Sequence, residues 1–297
     1  MMKTSLVLAM TLLLAAPVLA QQRGRQLTPE QRAEREAVMN EPRPIDAVES
    51  LWLEELTWME IRDAIRAGNT TALVLTGGVE SNGPHLASGK HNYSNELLGP
   101  AIAEALGNTL IAPLVTLEPG NPSGPVMLGN TGPMVSQETY IAWLTDIGDS
   151  LRGMGFTEVY YLGDSGGNQR GMQAAAEALT EKYGGTPTRF HHVPEFYNHE
   201  QVRQHIQETL GIPEQMEYTA SSGSDGIHEE LSIAAIMSVL DPTTIRYDER
   251  VAAGRASING ISLEPIAQTQ ELGRKLIEYR TQLTVDAIGR YRADGRD

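Results

Sequence analysis

Two short, unbroken apolar runs set the strongest constraint on this chain. Ala72 to Leu75 and Val159 to Leu162 each open directly onto a loop rich in glycine and hydrogen-bonding side chains, and each stands between stretches of helical periodicity. A strand that is apolar on every residue has no face to give to water, so it belongs in a parallel sheet covered on both sides by helices. The pattern predicts helices at 58–67, 95–106, 137–154 and 172–183, with strands at 72–75, 109–113 and 158–162 between them. The fold class is therefore α/β, a three-layer α/β/α sandwich with a mostly parallel central sheet. In such sheets the loops at the carboxyl ends of the strands form the ligand site.

The segments before this domain are different in character. Residues 1–20 read as a signal peptide: Lys3 supplies a positive start, Leu6 to Leu14 an apolar stretch too short to span a bilayer, and Val18 and Ala20 the small residues of a cleavage site. The expected mature protein starts at Gln21 and is periplasmic or secreted. Residues 21–44 form a polar N-terminal extension, and the folded domain is expected over 45–297.

The formal charge of −15 argues against nucleic acid and anionic membranes as partners. The chain has no cysteine, which excludes disulfides, thiolate metal sites and a cysteine nucleophile. Any metal must be held by His, Asp or Glu.

The loop after the first apolar run holds Glu80, Asn82, His85, His91 and Asn92 within thirteen residues. Carboxylate oxygen and imidazole nitrogen together suit zinc, manganese or iron, so Glu80 with His85 or His91 is a candidate partial ligand set. The competing reading is a turn whose polar side chains satisfy loop backbone groups. After the second run comes Gly163-Asp-Ser-Gly-Gly-Asn168. Ser165 there is open to two readings, a nucleophile activated by His91 or His228, or a loop hydroxyl bonding backbone or substrate. The trypsin-like GDSGG match is set aside because it lies on a strand, loop and helix rather than in a β-barrel.

Glu80-Ser-Asn-Gly-Pro-His-Leu-Ala-Ser-Gly-Lys-His91 resembles the opening motif of the creatininase family, Glu-x-His-Gly-Pro-His-Leu-Pro-x-Gly-x-Asp. Asn82 stands at a family histidine and His91 at the family's bridging aspartate. The 163–168 loop is similar to the family's Asn-Gly-His-Gly-Gly-Asn, with Ser165 at a metal-binding histidine and Asp164 as an alternative ligand one residue earlier. The segment from His228 to Pro242 resembles a third family stretch, in which the family glutamate falls on Ile233 while Glu229 and Glu230 lie close by.

The resemblance implies an amidohydrolase acting on a cyclic or non-peptide amide of a small molecule, in a homo-oligomer. With the bridging carboxylate gone, it implies one divalent metal ion (zinc, manganese or iron) on Glu80, His91 and Asp164. Glu80 and His228 are the expected catalytic residues, with His228 as proton shuttle. Asn82, His85, Ser165, Asn168 and Glu230 are the expected substrate contacts. The alternative is a non-catalytic or metal-independent periplasmic small-molecule-binding protein on the same fold. Elsewhere, His191, His192, His199 and His205 read as a solvated helix face, and Asn121, Asn130 and Thr131 as a pocket wall.

Overall fold

The computed structural model describes residues 27–125, 132–213 and 228–294, so the signal-peptide reading and Asn130 and Thr131 lie outside the described residues. Its contacts divide the chain into two units, Met1–Ile45 and Asp46–Asp297. In the first, helix α1 (Pro29–Asn40) is closed at its start by a capping box. Thr28 accepts from the Gln31 backbone and the Gln31 side chain returns the bond. None of its residues is buried, as its polar composition dictates.

The second unit is built on four strands, β1 (Thr71–Thr76), β2 (Thr109–Ile111), β3 (Glu158–Gly163) and β4 (Arg189–His192). They lie in the order β2-β1-β3-β4, all paired in parallel, with Thr71 level with both Thr109 and Glu158. Side chains alternate across the sheet, so each apolar run supplies both cores. Ala72, Val74, Val159 and Tyr161 face a layer that includes Leu144 and Leu151 of α4 (Gln137–Met154) and Met172 and Leu179 of α5 (Asn168–Lys182). Leu73, Leu75, Tyr160 and Leu162 face Leu98 and Ile102 of α3 (Lys90–Leu106) and Ala287 and Ile288 of α9 (Ile266–Asp294). That is the three-layer sandwich. Helix α2 (Trp58–Arg66) adds Ile61 and Ile65 to the first layer. No helix among the described residues is long and apolar enough to cross a membrane.

Two helices start earlier than periodicity predicts. α3 begins at Lys90 rather than residue 95, and α5 at Asn168 rather than 172. The cause is the same in both: the first turns bury polar side chains, Lys90, His91, Ser94 and Asn95 in one case and Asn168 in the other, so no apolar stripe announces them. Strand β2 stops at Ile111, two residues before Pro113. Beyond β4 come α6 (His199–Gln204), α7 (Leu231–Leu240), α8 (Tyr247–Ala252) and a small hairpin of β5 (Ser257–Ile258) and β6 (Ile261–Ser262). α7 is apolar over most of its surface and is buried against α9 and α3.

Candidate active site

The loops that follow β1 and β3 open at the same edge of the sheet. Glycine lets them approach closely: a Cβ on Gly77 would lie 1.9 Å from Asn92 Oδ1, which instead accepts the Gly78 N–H. Between the loops and the segment starting at His228 is a pocket of about 430 Å³. Glu80, Lys90, His91, Ser165, His228 and Glu230 line one part of it, and Tyr197, His199 and Arg203 another.

Glu80 is the hub. Its Oε1 accepts from Lys90 Nζ at 2.8 Å and His91 Nε2 at 3.0 Å, and lies 3.3 Å from His228 Nδ1. Burial alone would raise its pKa, but the hydrogen bonds from His228 and His91 and the charge of Lys90 outweigh burial and hold the carboxyl well below the usual range. Glu80 is thus a fixed anion with little basicity.

His91 sits between two carboxylates, donating from Nε2 to Glu80 and from Nδ1 to Asp164 Oδ2 at 2.9 Å. Burial opposes its charge, yet Asp164 and Glu80 together raise its pKa. Behind it Asp164 is fully buried and takes Arg280 Nη2 at 2.5 Å on its other oxygen. Asp164 therefore holds His91 in place and does not line the pocket, so it does not take the direct ligand position expected of it. Adjacent residues do diverge here: Asp164 turns to His91, while Ser165 donates its hydroxyl to Glu118 Oε2 at 2.5 Å on the other side. Burial pushes Glu118 up, making it the carboxylate of this cluster with basicity to offer.

The remaining expected contacts separate clearly. Glu230 lines the pocket, 3.7 Å from His199 Nδ1. Asn82, His85 and Asn168 do not line it. Asn82 donates to the Ala87 carbonyl within its own loop. His85 is turned to Glu229, which accepts its backbone N–H at 2.8 Å. Asn168, fully buried, accepts the Ser165 N–H and donates to the Gly77 carbonyl, tying the two loops together. The Asn82 and Asn168 side chains thus meet backbone groups rather than a ligand, and the His85 ring lies 3.4 Å from Glu229. The histidines also depart from a solvated helix face. His191 and His192 belong to β4, His191 stacked on Tyr160 and His192 bonded to Gln169, while His205 stacks on Tyr279 and His199 lines the pocket.

Lys90, Glu118, Arg203 and Arg280 were not singled out by sequence. Lys90 carried a signal, its place between Gly89 and His91 inside the motif; the others meet the site only through the fold.

A family model described as creatinine amidohydrolase matches residues 54–288. Among solved structures the chain is similar to creatinine amidohydrolase (creatininase), at 19% identity over 82% of this chain and 98% of that one, with a TM-score of 0.57. It is also similar to a manganese form of creatininase, at 20% identity over 81% of this chain and 98% of that one, TM-score 0.56. A third is a glutamate-to-glutamine creatininase variant complexed with creatine, at 21% identity over 81% and 98%, TM-score 0.54. No curated protein sequence matches.

The divalent ion that this likeness implies can be tested against the donors present. Glu80 already carries an ammonium, and both ring nitrogens of His91 are engaged by carboxylates, Nε2 by Glu80 and Nδ1 by Asp164. Ser165, at the place of a family ligand, is a neutral hydroxyl engaged with Glu118. Among the described residues no group of three or more His, Asp or Glu is disposed to hold a metal ion. The donor set in this arrangement does not fit a resident dication.

Proposed function

The chain belongs to the creatininase family, and from that premise we propose that it is an exported amidohydrolase acting on the amide C–N bond of a small molecule, cyclic or otherwise non-peptide. The observation that carries the reading is the 430 Å³ pocket at the carboxyl ends of the strands, lined by the Lys90 ammonium, His228 and Ser165, with the buried Glu118 carboxylate behind the serine.

The chemistry follows from what each group has free. Lys90 polarises the substrate carbonyl and stabilises the oxyanion that forms as a water attacks. The water's proton passes to Ser165 Oγ as the hydroxyl proton passes to Glu118, the carboxylate that burial has made a better base. The carbonyl carbon gains the water oxygen, the C–N bond breaks, and His228 protonates the leaving nitrogen. Glu80, its own basicity suppressed, anchors Lys90, His91 and His228 around the reacting centre. No step is assigned to a metal, which the donor arrangement does not fit.

The test is a panel of small cyclic and acyclic amides, creatinine included, incubated with the purified chain in the presence of a chelator, with product acids and amines read by mass spectrometry. Turnover that Glu118→Gln and His228→Ala reduce by about 10²-fold or more is expected of lost acid and base groups. No turnover of any amide, with or without added zinc or manganese, would leave the rival reading, a small-molecule-binding protein. Export rests on the pattern of Lys3 and Leu6 to Leu14. A mature chain starting near Gln21 supports it, and an intact Met1 in the cytosol of the native host sinks it.

A further inference from the structure

Lys90 is 3% exposed, on the first turn of α3, and its ammonium touches Glu80 Oε1 at 2.8 Å and the His228 carbonyl at 3.5 Å. A buried ammonium is retained only where an anion and hydrogen-bond acceptors replace its water. Here those partners are the groups around which a metal site would be built. His91 Nε2 at 3.0 Å and His228 Nδ1 at 3.3 Å converge on the same carboxylate oxygen. Two neighbouring buried acids are already matched, Asp164 by Arg280 and Glu229 by Arg250. An ion bound to Glu80 Oε1 would share that oxygen with the ammonium, and two positive charges at contact distance repel.

We propose that Lys90 is the resident cation of this pocket, its ammonium supplying to Glu80 the positive charge that a bound divalent ion would otherwise supply, so that the protein works without metal. The assignment deepens the reading of this pocket as a hydrolase site, but its test reads metal and not turnover. A lysine cation also differs from a metal in kind. It offers three directed hydrogen-bond donors, and so favours a substrate that presents an oxygen acceptor over one that chelates.

The full chain, untagged, is incubated with excess zinc or manganese, passed through a desalting column, and assayed for metal by mass spectrometry. Trace metal is expected in the wild type, and no rise in melting temperature with either ion. In Lys90→Ala, where the ammonium no longer occupies Glu80 Oε1, the oxygen on which His91 Nε2 and His228 Nδ1 converge, near-stoichiometric zinc is expected, and Glu80→Gln in that background should abolish it. Stoichiometric metal in the wild type, lost in Glu80→Gln, overturns the proposal and needs no Lys90 variant. Metal-free Lys90→Ala and Lys90→Gln chains that fold also overturn it, because the ammonium would not then be what stands in the ion's place. If Lys90→Ala does not fold, Lys90→Gln keeps the side-chain length and carries the same expectation. A metal-free wild type without turnover keeps Lys90 as the resident cation and removes hydrolysis; chelator-resistant turnover supports both.

Discussion

Arg250 Nη2 lies 2.8 Å from Glu229 Oε1, and neither side chain has exposed surface. The pair joins α8 to the segment that carries His228, and Glu229 also accepts the His85 backbone N–H at 2.8 Å, so it fastens two of the pocket's three walls together. His228, next in the chain to Glu229, has a φ of 56°. Such a backbone angle is uncommon for a residue with a side chain.

Removing the arginine should therefore cost far more than an exposed pair would. Arg250→Met leaves a buried carboxylate without its cation and is expected to destabilise the fold by about 3–5 kcal/mol. Adding Glu229→Gln should recover part of that loss, since the amide is neutral and still accepts from His85. Denaturant unfolding of the single and double variants measures both. Equal stability of the two would show that the charge is not what Arg250 answers.

The Arg280–Asp164–His91 chain predicts a stability window in pH. Burial pushes the Asp164 carboxyl up, but the charge of Arg280 and the hydrogen bond of His91 outweigh it and hold the group well below the usual carboxylate range. Its stabilising contribution is complete above the unfolded value near ~3.9 and drains away as pH falls toward the folded one. His91 is shifted the other way, burial opposing its charge while Asp164 and Glu80 raise it. Its contribution is complete below the unfolded value near ~6.5 and is lost as pH rises through the folded one. The network should thus add most between about pH 4 and 6.5. Thermal melts taken from about pH 6 down to about pH 2 should show the wild type falling off more steeply below about pH 4 than Arg280→Met. Parallel acid slopes would contradict the assignment.

How far the sequence anticipates this arrangement depends on where each signal is stored. The sheet is legible because β1 and β3 are apolar on consecutive residues and can sit nowhere else. Glu80 and Ser165 are legible because they lie in loops whose glycines mark close approach, His91 because it closes the first of these motifs, and His228 only through the family resemblance. Asn82 and Asn168 answer backbone groups and His85 turns to Glu229, a distinction that residue type alone does not encode. Arg280 is 116 residues from Asp164 and Glu118 is 47 from Ser165, so only the folded chain reveals that they are partners.

The approach of α9 to α7 gives a prediction about packing. A Cβ on Gly273 would lie 2.2 Å from the Ala235 carbonyl oxygen and 2.7 Å from Val239 Cγ2, so Gly273→Ala must push the helices apart. A cost of ~1–3 kcal/mol is expected for such overpacking. Gly289 is on the same helix with nothing within 4 Å of its Cβ position. Gly289→Ala should be neutral or stabilise by up to about 1 kcal/mol through helix propensity. Similar melting temperatures for the two variants would show that the helices are not in such close contact.

The last prediction concerns the base. Glu118 is raised above the ordinary carboxylate value by burial, with the Ser165 hydrogen bond working against that shift. A group that must be ionised to accept a proton imposes a rising limb on the pH profile of kcat/KM, and its midpoint here should lie above the ~4.3 of a free glutamate. Ser165→Ala removes the hydroxyl that favours the ionised form, so in whatever activity remains the limb should move to still higher pH. Glu118→Gln should abolish the limb and lower kcat, with KM changed little, because the carboxylate acts on the attacking water rather than on the bound substrate. These profiles are to be measured on whichever amide of the panel is turned over. A rising limb that survives Glu118→Gln unchanged would assign the base to another residue while leaving the pocket where it is.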